Sequence, residues 1–104
     1  MVEKFEVKKT HPIKGKCVFA LIYQGYNGSE YASSFFIRLN NLGSAYELSS
    51  DFFTASNLYD AMLRAYCEGK KILQKNKFDC EIANEAFSLF QNKVQLQFHF
   101  GVNK

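Results

Sequence analysis

The chain has 104 residues, 47% of them hydrophobic, with six glycines, one proline, no tryptophan and a net charge of +3. That composition excludes a disordered or low-complexity polypeptide, and the length predicts one domain over residues 1–104 with a single core. The charge divides as +1 over residues 1–53 and +2 over residues 54–104, so the chain carries no dedicated basic segment of a nucleic-acid binder.

Residues 2–9 alternate weakly, with Phe5 and Val7 on one side and Lys4, Glu6 and Lys8 on the other. This predicts an edge strand whose lysines discourage pairing with other chains. A turn follows at Thr10, His11, Pro12 and Gly15. Asn27-Gly28 then stands between two runs rich in aromatic and aliphatic residues, 16–26 and 29–39. The dipeptide predicts a two-residue type I′ hairpin turn, with positive φ at both positions. Pairing outward from it puts Val18, Ala20, Ile22, Phe35 and Ile37 on one face of the sheet. Phe19, Leu21, Tyr23 and Phe36 fall on the other. Residues 17–23 are continuously apolar, as in a strand covered on both sides. Asn40, Asn41, Leu42 and Gly43 make a second turn, and residues 45–49 a fourth strand.

Beyond Ser56 the period changes. Leu58, Ala61, Met62, Ala65, Tyr66, Ile72 and Leu73 form a stripe of about 3.6 residues per turn, which predicts a helix capped by Thr54 or Ser56. Asp60 and Arg64 are spaced for an i,i+4 ion pair, and Gly69 on the inner stripe predicts a close crossing over the sheet. Lys75-Asn76-Lys77 ends this helix. Asp79 caps a second, with Ile82, Ala83, Ala86, Phe87 and Phe90 facing inward. Finally Val94, Leu96, Phe98 and Phe100 alternate with Gln95, Gln97 and His99, which predicts a last strand. The order β-β-β-β-α-α-β describes an α+β two-layer sandwich, an antiparallel sheet of four to five strands packed against two helices.

Little in the chain suggests chemistry. Cys17, Cys67 and Cys80 form no CxxC pair and fall inside predicted elements, which suits the reduced thiols of a cytoplasmic protein. The N-terminal MVEKFEVKK has no apolar signal-peptide core, and no stretch approaches the roughly 20 apolar residues of a membrane span. Cys80 beside a helix N-terminus, with His99 as base, is the one conceivable nucleophilic couple, but a small buried cysteine is the commoner use of such a residue. The His and Cys spacings fit no zinc site. Gly25-x-x-Gly28 lacks the following helix and the Lys-Ser/Thr of a phosphate loop, and Glu81 with Glu85 reads as a solvated helix face. The residues predict no enzyme, no cofactor and no metal.

What remains is binding. The hairpin face of Phe19, Leu21, Tyr23 and Phe36, with Tyr26 and Tyr31 at its tip and Arg38 on its rim, has the apolar centre and polar border of an interaction patch. It predicts a small non-catalytic protein-binding module, an inhibitor or immunity-type protein that occludes a macromolecular partner, with a homodimer as a variant of the same contact. The alternative is a nucleic-acid-associated accessory protein. It would use Lys8, Lys9, Lys14 and Lys16 near the first turn, and Lys70, Lys71 and Lys75 at the end of the first helix, with the hairpin aromatics stacking on bases.

Overall fold

A computed structural model of the protein describes residues 2–13, 15–41 and 44–102; side chains are described up to residue 94, apart from those of residues 41 and 44. Five strands precede two helices: β1 (Glu3–His11), β2 (Gly15–Tyr26), β3 (Tyr31–Asn41), β4 (Ser44–Ser49), β5 (Phe53–Ala55), α1 (Leu58–Lys75) and α2 (Glu81–Val102). All strand pairs are antiparallel, in the order β1-β2-β3-β4, with β5 joining β3 beyond β4. Both helices lie on one face, α1 against β3 and β5, α2 against β1 and β2. The α+β two-layer arrangement is the predicted one. β1 is an edge strand, as its lysines imply.

The hairpin differs from expectation, with consequences for every residue of β3. Asn27 does not take the positive φ of a type I′ turn, since Lys77 is the one such non-glycine residue among those described. Instead four residues close the loop. Tyr26 pairs with Tyr31, and the Asn27 side-chain oxygen accepts from the amides of Ser29 (2.9 Å) and Glu30 (2.7 Å). Two extra loop residues alone would preserve the facing of each side chain. A bulge then removes that parity: Tyr23 pairs with Ser33 but Gly25 with Ala32, leaving Gln24 unmatched. Gly25 carries φ +132° there, a conformation side chains rarely allow. A one-residue slip turns a strand over. Phe19 therefore faces Ile37, and Leu21 faces Phe35.

These residues form the core beneath the helices. Phe19, Phe35 and Phe53 stack in sequence, with centroids 6.3 and 6.1 Å apart and planes within 11° of parallel. α1 lays Ala61, Met62, Ala65, Gly69 and Leu73 over them, and α2 adds Ile82, Ala83, Ala86, Phe87 and Phe90, its predicted inner residues. The crossing at Gly69 is as close as its position in the stripe implies: a β-carbon there would stand 2.6 Å from the Phe19 ring. Phe90 meets Phe5 of β1 edge-on at 5.6 Å. The hydroxyl of Ser33, fully buried among these groups, donates to the Ala61 carbonyl and ties β3 to α1.

The cap of α1 is Asn57, not Thr54 or Ser56. Its oxygen accepts from the Asp60 amide at 2.8 Å, and its amide nitrogen donates to the Asp60 carboxylate. Asp60 is thereby engaged with the cap, while Arg64 donates to the Thr54 carbonyl, so the expected Asp60–Arg64 pair is not the arrangement found. Asn57→Ala is expected to cost about 1 kcal/mol, the usual value of an N-cap, read as a lower urea midpoint at unchanged slope. An undiminished midpoint would show that the cap contributes nothing. At the other end Lys77 turns the chain with φ 59°, and an Asp79 carboxylate oxygen accepts from the Glu81 amide to start α2.

The predicted final strand is not formed. Residues 94–100 continue α2 rather than rejoining the sheet, and the fifth strand is β5. No proline or glycine interrupts the chain between Phe90 and Phe100, leucine and glutamine are good helix formers, and an established helix extends at little cost.

Candidate binding surface

With both helices on one face, no helix or strand among the described residues covers the opposite face of the sheet. The register brings Val18, Ala20 and Ile22 of β2 between Lys4, Glu6 and Lys8 of β1 and Ser34, Phe36 and Arg38 of β3. Ala20 is fully buried at the centre of this surface. This surface forms an open groove of about 500 Å³, lined by Val18, Ile22, Phe36 and Phe52, the last 67% exposed. Gln24, placed here by the bulge, donates to the Ser34 hydroxyl at 2.7 Å.

The border is charged. Lys8 pairs with Glu6 at 3.5 Å, and Arg38 with Glu47 of β4 at 2.5 Å, while its guanidinium sits 5.6 Å from the Phe36 ring centre. Lys4, Lys8, Arg38 and Glu6 line the groove and Glu47 stands against Arg38, so its border carries charges of both signs. Apolar floor, aromatic residues and an arginine at the border are the composition of a protein interface.

The predicted patch is distributed over three places. Phe19 and Leu21 are fully buried under the helices and offer no surface. Phe36 and Arg38 belong to the groove on the opposite face. Tyr23, Tyr26 and Tyr31 form a separate cluster at the hairpin tip, with the Tyr31 ring 6.3 Å from Tyr23 and 4.7 Å from Tyr26. Only Tyr26 of the three is mainly exposed, at 54%. Sequence reasoning missed Val18, Ile22 and Phe52 as members of the site; the first two carry the right polarity but were assigned with Phe35 and Ile37, which are core.

The lysines are largely engaged within the protein. Lys9 pairs with Glu85 at 2.9 Å, whose carboxylate holds the ammonium above its usual pKa. Lys71 pairs with Glu68 at 2.9 Å and is raised likewise, while Lys70 lies over the Tyr66 ring and is raised by that hydroxyl. Lys16 and Lys75 are exposed, and Lys14 lies outside the described residues. The two predicted lysine groups are thus interleaved with carboxylates rather than gathered into a basic face.

The Cys80–His99 couple is separated by geometry. Cys80 precedes the first residue of α2 and His99 lies near its far end, about 28 Å away at 1.5 Å per residue. The Cys80 thiol instead points to the Lys70 carbonyl at 3.9 Å. Cys17 is buried, and burial pushes its thiol pKa up, the direction opposite to that of a nucleophile. Among the described residues no group of three or more His, Cys, Asp or Glu is placed to hold a metal ion, and no helix is long and apolar enough to cross a membrane. Compared with known proteins, the chain matches no family model, no curated protein and no solved structure.

Proposed function

We propose that the protein is a non-catalytic protein-binding module that occludes its partner through the uncovered face of the sheet. The observation that carries this reading is the groove itself, an apolar floor bordered by charge on the one sheet face that neither helix covers. Its border of both signs favours a partner that presents an apolar ridge flanked by polar and charged residues. Affinity then comes mainly from the floor and orientation from the border. The internal pairing of the lysines weighs against the nucleic-acid alternative, because a carboxylate beside a lysine repels phosphate.

The test places a photo-crosslinking amino acid at Phe52 and compares the captured partner with that of the same chain carrying Phe36→Glu. A protein captured by the parent, and lost from a Phe36→Glu chain that still melts at the parent temperature, is the expected result. Retention by Phe36→Glu would overturn the reading. So would capture of nucleic acid that falls by several orders of magnitude between about 50 and 200 mM salt, the signature of phosphate contacts.

A further inference from the structure

Asn27-Gly28 carries to the hairpin tip a chemistry that the turn itself does not use. In this dipeptide the side-chain carboxamide is open to attack by the next backbone nitrogen, because glycine has no side chain to hinder ring closure. No other asparagine in the chain precedes glycine. The structure adds the geometry. Asn27 and Gly28 are both exposed. The Asn27 side-chain oxygen accepts from the Ser29 amide at 2.9 Å and from the Glu30 amide at 2.7 Å, while its backbone amide donates to the Glu30 carbonyl at 3.0 Å. The carboxamide is thus held by its oxygen alone, and its nitrogen, the leaving group, is not bound by any described residue. Gly28 has φ +92° with open space around its α-carbon, and no described residue accepts from its amide. Two N–H donors at this distance from one oxygen are what stabilises the negative charge of a tetrahedral intermediate.

We propose that Asn27 is a self-modification site, at which the folded tip promotes conversion of the asparagine to aspartyl and isoaspartyl products through a cyclic imide. The Gly28 amide gives its proton to hydroxide, and its nitrogen bonds to the carboxamide carbon of Asn27. The displaced electron pair moves onto the oxygen held by Ser29 and Glu30. It returns as the bond to the side-chain nitrogen breaks, and that nitrogen takes a proton from water and leaves as ammonia. Water then adds to either ring carbonyl and opens the imide, so the net change is one water consumed and one ammonia released. The fold accommodates both products. Tyr26 pairs with Tyr31 directly below the loop, and the bulge sets the register beneath, so the extra backbone atom of an isoaspartyl linkage stays within residues 27–30. An aspartyl carboxylate keeps both amide bonds and accepts them more strongly, as a charged acceptor does. None of residues 27–30 lines the groove, so the modification is separate from the proposed binding face.

The experiment incubates the full chain in heavy-oxygen water at mildly alkaline pH, folded and unfolded in guanidinium, and follows Asn27 by peptide mass spectrometry with aspartyl and isoaspartyl forms separated. The expected result is uptake of one heavy oxygen at Asn27, with both products formed, several-fold faster in the folded protein than in the unfolded chain. A buried donor of this kind is worth about a hundredfold or more in rate, and exposure to water reduces that. Ser29→Pro removes one of the two donors and should bring the folded rate down toward the unfolded one. Four outcomes would overturn the proposal: Asn27 unchanged in the folded protein, a folded rate no higher than the unfolded one, an aspartyl product with no isoaspartyl form, or a Ser29→Pro chain as fast as the parent. The comparison of folded with unfolded parent decides the matter even if Ser29→Pro disturbs the loop.

Discussion

Phe19→Ala is expected to cost about 3–5 kcal/mol, the range for deleting a fully buried phenylalanine. That is a large part of the roughly 5–15 kcal/mol by which a domain of this kind is stable. The site has little capacity to relax. The Phe35 ring lies parallel to Phe19, and the Phe35 ring is itself stacked on Phe53, so neither can tilt into the void without leaving its neighbour. Above the ring is Gly69, which has no side chain to move inward. Phe36→Ala, one strand away on the open face, should cost well under half as much because Phe36 is only half-buried. Urea unfolding of the two variants measures the contrast. Equal losses would mean that Phe36 is packed as deeply as Phe19, and a reversed contrast that the helices cover Phe36 instead.

Gly69→Ala should destabilise the protein even though alanine in place of a mid-helix glycine is ordinarily worth about 1 kcal/mol in its favour. The new β-carbon would lie 2.6 Å from both Cε2 and Cζ of Phe19, well inside contact distance, and the ring has nowhere to go. Overpacking of this sort costs about 1–3 kcal/mol, enough to outweigh the helical gain. Phe19→Leu removes the ring edge that the methyl would strike. In that background Gly69→Ala should become neutral or stabilising, a coupling of about 1 kcal/mol or more in a double-mutant cycle. Strict additivity would mean that the two residues do not meet.

The elements that the chain spells out by period were legible in it. Ala61, Met62, Ala65 and Leu73 recur at helical spacing and are buried as a stripe, and Phe5 and Val7 alternate as an edge strand should. Gly69 announced a close crossing because a glycine on an apolar stripe has few other uses. The faces of the hairpin were not legible. Asn27-Gly28 is read correctly as a reversal, but facing depends on the parity of the count between paired residues, and a single unmatched residue changes it. The one trace was Gly25, close to the turn and easily attributed to it. The hairpin pattern alone groups Phe36 and Arg38 with Phe19 and Leu21, whereas the bulge groups them with Val18 and Ile22. At residues 94–100 two local rules conflict, alternation against an unbroken helix, and the fold follows the second. Cys80 and His99 were separated by that same outcome.

Gln24 also determines how the protein tolerates changes in length. Deleting it would let Tyr23 and Gly25 follow one another opposite Ser33 and Ala32, so that the bulge is lost while Leu21 still faces Phe35 and Phe19 still faces Ile37. Lengthening the loop at residues 27–30 by one or by two residues disturbs nothing below it, because the bulge has already set the register. A library of single insertions and deletions should therefore fall into two sharply different classes within a few residues of each other, permissive from the tip through Gln24 and forbidden at residues 17–21, where a change of one residue turns core side chains over.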